Sequence, residues 1–271
     1  MKSQLSTHAS MLAAPKLKIP LIAHLGAALS MACLLSAPGT ATAGYSTGFE
    51  APDFTPGALA GQSGWSEYPR PSSAIQVQNV NPHSGVQAID IIPALASGQD
   101  GAYFTDNTPD PIVKQSADIY LYSSSTQSEW QFAALGTGLV GFAGGIGILA
   151  DDSIVLITAG IPTITATFTR NVWNHVDLFL NYTTQKYSVD LNGLEIASDV
   201  AFCGDNGPCA GANVPFHANG FFATFSGAGV NDLGSLDNYA VAAIPEADTS
   251  AMLAVGLGLV GWRLRRRTFP A

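Results

Sequence analysis

In the stretch QKYSVDLNGLEIA, Tyr187, Val189 and Leu191 alternate with Ser188 and Asp190, and the alternation stops at Asn192-Gly193. A period of two places the apolar side chains on one face of a strand. Asn-Gly supplies the two positive-φ positions of a type I′ turn, so the segment predicts a β-hairpin. Upstream, DIYLY from Asp118 alternates in the same way, while SIVLITA from Ser153 and TITATF from Thr163 are β-branched runs parted by Gly160 and Pro162. Short runs of this kind between turn residues read as strands. No stretch between Gly44 and Ala243 combines a helical period with caps. The pattern predicts an all-β domain, an antiparallel sandwich or jelly roll, and it contains no convincing internal repeat.

Two apolar segments at the ends break this pattern. Lys16 and Lys18 precede IPLIAHLGAALSMACLLS, and Ala41-Thr42-Ala43 then supplies small residues for signal peptidase. Residues 1–43 are therefore expected to be a signal peptide, and removal would leave Gly44 first. Cys33 offers a lipoprotein alternative, but LSMAC lacks the leucine expected three positions upstream and apolar residues continue past it. At the other end, the apolar run Ser250 to Trp262 precedes Arg263, Arg265, Arg266 and Arg267. Its helix would span about 20 Å, short of a hydrocarbon core of roughly 30 Å. Trp262 at the interface, snorkelling arginines and Thr249 make up the difference, which predicts a membrane helix over about 249–262. The arginines would stay in the cytoplasm and the body, 44–243, outside.

Composition sharpens the picture of that body. The 271-residue chain is 47% hydrophobic and 11% charged, the balance of a packed protein. Between Gly44 and Ala243 stand four basic and 18 acidic residues, a net of −14. Such a body repels phosphate backbones, which excludes a nucleic-acid partner. A solvated acidic surface and an attraction for divalent cations both fit the remainder.

Candidate chemistry is sparse. Cys203 and Cys209 bracket GDNGP, and in an oxidising compartment they are expected to close a disulfide worth about 2 kcal/mol for so small a loop. A zinc site would need two further ligands, and neither a second CxxC nor a His pair lies nearby. There is no Gly-x-Ser-x-Gly elbow, Asp190 and Glu195 flank a turn, and the adjacent Asp151 and Asp152 point to opposite faces. His83, His175 and His217 are scattered and read as surface or strand-face residues. Gly136 to Gly141 and Gly256 to Gly261 match G-x-G-x-x-G without the βαβ context that a dinucleotide needs. The body is thus expected to be non-enzymatic and to carry no cofactor. Trp65, Tyr68, Trp130 and Trp173 are candidates to stack on sugar rings, with core packing the competing reading of each.

GFEAPDFTPGALAGQSGW (Gly48 to Trp65), VWNHVDLFLNYTTQKYSVDLNGLEI (Val172 to Ile196) and GSLDNYAV (Gly234 to Val241) resemble, in that order, the concanavalin A-like lectin/glucanase jelly roll. The resemblance implies two packed antiparallel sheets over about 44–243, with first and last strands adjacent. That neighbourhood would bring Glu50 close to Asp237 and Asn238, an oxygen-rich set that suits a structural calcium. Strand-end capping or bonding to backbone amides is the alternative for the same residues. The Glu-x-Asp-x-(x)-Glu strand of the family's glucanases is missing.

Pro245-Glu246, the apolar run and the four arginines are similar to the PEP-CTERM sorting signal of Gram-negative bacteria, with Ala247 where the usual signal has its second proline. This similarity implies exosortase as a processing partner for residues 244–271. The chain would be anchored in the inner membrane before processing and then displayed at the cell surface or released. Taken together, the expected function is an exported, non-catalytic protein whose jelly roll binds extracellular polysaccharide. The alternatives are a matrix protein without specific ligand and a glycan hydrolase with an unfamiliar site.

Overall fold

Residues 186–201 form the hairpin that the alternation predicts: Lys186–Leu191 and Leu194–Ala201 pair antiparallel, and Asn192 (φ 53°) and Gly193 (φ 77°) make the turn. The computed structural model describes residues 43–68, 75–93, 98–105, 111–123, 127–135, 142–158, 163–203, 218–225 and 232–244. All lie in one folded unit, Thr40–Pro245. The expected signal peptide up to residue 42, Cys209 and the sorting tail from Pro245 lie outside the described residues.

In chain order the strands are β1 (Ala43–Thr47), β2 (Gly57–Ala58), β3 (Trp65–Tyr68), β4 (Ile75–Gln78), β5 (Ala88–Ile91), β6 (Gly98–Thr105), β7 (Ile112–Leu121) and β8 (Ser128–Leu135). They continue as β9 (Phe142–Ile148), β10 (Ser153–Leu156), β11 (Ile164–Thr167), β12 (Trp173–Asn181), β13 (Lys186–Leu191), β14 (Leu194–Ala201), β15 (Ala218–Phe225) and β16 (Gly234–Ala243). The nine-stranded sheet runs β14-β13-β12-β7-β16-β5-β4-β2, with β1 also on β16, and the seven-stranded sheet runs β11-β10-β9-β8-β15-β6-β3. Every pairing is antiparallel, from β1 against β16 to β8 against β9. The described residues contain no helix, so the body is the antiparallel jelly-roll sandwich that the sequence implies.

Inward side chains of both sheets share one core. Val113, Ala117, Ile119 and Leu121 of β7 and Val176, Leu178 and Leu180 of β12 meet Phe132, Ile146, Ile148 and Phe221 of the facing sheet. Trp65 is 1% exposed and sits edge-on to Tyr239, with ring centroids 5.0 Å apart. Its indole N–H donates to Tyr45 Oη at 3.0 Å. Trp130 is fully buried and stacks on Phe221 at 5.2 Å. Both rings are core, which corrects their candidacy for sugar stacking: a sugar cannot reach a ring with no free face.

The last strand determines where the ends emerge. Ala43 pairs with Ala242, and Ile244 N–H still donates to Ile112 O at 3.0 Å. The ladder therefore continues to the residue before Pro245.

Candidate functional site

On the nine-stranded sheet, alternation divides β7 and β12 between the core and an outer face. Lys114, Ser116, Asp118 and Tyr120 of β7 stand beside Phe179, Asp177, His175 and Trp173 of β12 in direct cross-strand register. The hairpin turn helps to set this register: Asn192 Oδ1 accepts the His175 backbone N–H at 2.9 Å, and Asn192 Nδ2 donates to Asn174 Oδ1 at 3.2 Å.

Asp118 is the hub of the face. His175 Nδ1 donates to Asp118 Oδ1 at 2.7 Å and His175 Nε2 to Asp177 Oδ1 at 3.2 Å. Asn238 Nδ2 donates to Asp118 Oδ2 at 2.7 Å, and His83 Nδ1 lies 2.8 Å from the same oxygen. Lys114 Nζ completes the row at 2.9 Å from Asp177 Oδ2 and lies over the Phe179 ring. Both imidazole nitrogens of His175 face carboxylate oxygens, an arrangement satisfied only by imidazolium. The bonds from Asp118 and Asp177 push its pKa up to about 9. Burial alone would raise Asp118 and Asp177, but His175 with Asn238, and His175 with Lys114, outweigh it and hold both carboxyls below the usual range.

Next to this charged row lies a row of rings. Trp173 lies 5.4 Å from His83 on one side and 5.4 Å from Tyr120 on the other, and Tyr120 is 4.8 Å from Tyr122. His83 is exposed, and Trp173, Tyr120 and Tyr122 are half-buried. Beyond Tyr122 the face continues to Asp90, which hydrogen-bonds Ser235 and accepts from Gln78 Nε2 at 3.1 Å. Burial raises the Asp90 carboxyl, and the bonds from Ser235 and Gln78 only partly offset it.

Glu50, Asp237 and Asn238 do come together, but they hold a loop. Asp237 Oδ2 accepts the backbone N–H groups of His83 and Ser84 at 2.9 and 3.0 Å, and Glu50 Oε1 accepts those of Val86 and Gln87 at 2.7 and 2.9 Å. Ser84 Oγ donates to Asn238 Oδ1 at 2.7 Å. Gly85 (φ 62°) sits between these anchors, and a Cβ there would lie 2.2 Å from Glu50 Oε1. Glu50 Oε1, Asp237 Oδ2 and Asn238 Oδ1 are thus engaged by N–H and O–H donors, with which a cation would have to compete for lone pairs. Among the described residues no group of three or more His, Cys, Asp or Glu could hold a metal ion. These contacts are the backbone-amide bonding that the sequence offered as the alternative for Glu50 and Asp237. Burial raises Asp237 even so, against the lowering by its amide donors.

Of the sequence candidates for stacking, Tyr68 remains 36% exposed, on the other sheet and edge-on to Phe222 at 6.3 Å. Trp173 alone among the four reaches the aromatic row. His83 and His175, scattered in sequence, meet through Asp118. Alternation around Asp118 and His175 shows that each shares a face with Tyr120 or Trp173. The adjacency of β7 and β12, over fifty residues apart, is set by topology instead. Cys203 is buried and disulfide-bonded.

Residues 243–267 match the family described as the PEP-CTERM protein-sorting motif. The motif implies export, membrane anchoring before processing, and processing by exosortase. Among the described residues no helix is long and apolar enough to cross a membrane, and the apolar run lies outside them. No curated protein matches the chain. Among solved structures the chain is similar to a protein titled "Cellulose induced protein, Cip1", at 15% identity and a TM-score of 0.50, covering 73% of this chain and 97% of that one. It is also similar to a sialidase at 10% identity and a TM-score of 0.51, over 72% of this chain but only 18% of the sialidase. At these identities the likeness establishes the sandwich fold.

Proposed function

We propose that the exported body is a non-catalytic module that binds polysaccharide on the outer face of its nine-stranded sheet. The observation that carries this is the His83–Trp173–Tyr120–Tyr122 ring row lying against the Asp118–His175–Asp177 cluster. Half-buried rings offer apolar planes to the C–H faces of sugars. Carboxylates beside them accept sugar hydroxyls in fixed directions, because each carboxylate has about four acceptor positions.

The same geometry weighs against hydrolysis. Glycosidases need one carboxylic acid with a raised pKa opposite a second, ionised carboxylate. Asp118 and Asp177 are both held below the usual range and both bonded to His175, which leaves neither as a proton donor, while the raised Asp237 and Asp90 are tied to backbone amides and to Ser235 and Gln78. Imidazolium at His175 cannot act as a base near neutral pH.

Glycan-array binding and carbohydrate titration of the full chain test this reading. Binding with unchanged glycan length is the expected result. Shortening of the glycan over time would point to a hydrolase, and no binding to any polysaccharide would favour a matrix protein without a specific ligand.

A further inference from the structure

We propose that this face takes uncharged glycans and turns acidic ones away, a selectivity that rests on the glycan-binding reading above. Among the described residues every lysine and arginine already has an aspartate. Lys114 Nζ lies 2.9 Å from Asp177 Oδ2, Arg170 Nε bonds Asp152 Oδ1, and Lys186 Nζ lies 3.7 Å from Asp199 Oδ1. The His175 ring is held between two aspartates in the same way. Among the described residues, a uronate, sulfate or sialyl group arriving at Trp173 therefore meets no lysine or arginine that is not already paired. To gain a cation it would have to take Lys114 or His175 from its partner and leave a poorly exposed carboxylate unpaired, which is unfavourable.

The register adds repulsion. Asp177 stands directly opposite Asp190 on β13, and Asp190 directly opposite Glu195 on β14. Directly opposite residues share a sheet face, so three carboxylates stand in line on adjacent strands, where like charges repel. Lys114 is the cation bonded to that line. Hydroxyls face no such obstacle: Asp177 holds one partner on each oxygen and keeps acceptor capacity on the same strand face as Trp173, with His175 between them. On a body of net charge −14 between Gly44 and Ala243 the long-range field has the same sign as the local one.

The test is an array of neutral and acidic polysaccharides probed with the full chain at low salt and at about 0.15 M, where screening shortens the range of charge repulsion to roughly 8 Å. Hits confined to neutral glycans are expected. A carboxylated derivative of the best neutral hit should bind at least about tenfold more weakly at low salt, with the gap narrowing as salt rises. The double variant Asp190→Asn, Glu195→Gln should narrow the gap at low salt and leave neutral binding unchanged. Hits on acidic glycans, or equal affinity for the derivative, overturn the selectivity and leave the glycan-binding reading standing. No hit of either kind overturns both.

Discussion

The His175 imidazole and the Asp118 carboxylate, directly opposite each other on β12 and β7, are joined at 2.7 Å on the outer face of the sheet. A second aspartate, Asp177, occupies the other ring nitrogen at 3.2 Å. Two strands far apart in sequence are thus bridged by one ring, and holding both aspartates at once requires that ring to be charged.

Stability should follow that charge. His175 is raised from 6.5 to about 9, so its contribution is complete below about pH 6.5 and disappears as pH rises through 9. Asp118 and Asp177 lie below the ordinary 3.8, so their contribution is present above that value and disappears in stronger acid. The raised Asp237 and Asp90 act in the opposite sense, gaining as acid protonates them. The melting temperature should be highest between about pH 4 and 6.5 and should decline from there to pH 9.5. His175→Gln should flatten that alkaline decline. A decline of equal size in the variant would remove His175 as its cause.

How much of this was legible in the chain depends on range. The Asn192-Gly193 hairpin follows from local rules, and the structure places Asn192 and Gly193 at positive φ. Alternation around Val176 and Ala117 sorts the apolar core side chains from the outer face, but not the burial of Asp118 and Asp177 on that outer face, which their partners across the sheet produce. Trp65 and Trp130 were ambiguous because a tryptophan suits a core and a sugar platform equally well, and only the facing sheet decides. The Asp118 hub depends on β7 lying between β12 and β16, a consequence of jelly-roll topology that no local pattern contains. For Glu50 the sequence offered amide bonding as one of two readings, but it could not name the partners, because the backbone N–H groups of residues 86 and 87 carry no side-chain signature.

The loop anchors give a second prediction. Glu50→Ala would leave the N–H groups of Val86 and Gln87 without their acceptor and should destabilise the body by about 1–3 kcal/mol in urea titration. Gly85→Ala should cost a similar ~1–3 kcal/mol, because alanine is strained at that φ and its Cβ collides with Glu50. The melting temperature should be the same in excess calcium and in chelator. A rise in calcium would mean that these oxygens release their amides to bind the ion.

Trp65 and Trp173 should separate stability from recognition. Trp65→Ala opens a cavity among Phe49, Tyr239 and Phe104 and should cost about 3–5 kcal/mol. Trp173 is half-buried at the start of β12, so Trp173→Ala should cost much less in stability. It should weaken glycan binding about tenfold or more, ~1.4 kcal/mol. Unchanged affinity in Trp173→Ala would move the binding face elsewhere, with Tyr68 on the other sheet as the next residue to change.

The end of β16 bears on processing. Ile244 N–H is held by Ile112 O, so the sorting motif begins where the ladder ends, and Pro245 has no N–H with which to extend it. A processing enzyme working near Pro245-Glu246 must therefore approach the end of a strand flanked by β7 and β1 in the folded sheet. Six Gly/Ser residues inserted between Ile244 and Pro245 should move that bond away from the sheet and speed maturation in a pulse-chase experiment. Mass spectrometry of native material should find released protein ending near Pro245 and without the arginines. Arg267 intact on released protein would show that the chain leaves the membrane by another route, and equal maturation with and without the insert would show that the folded sheet does not limit access.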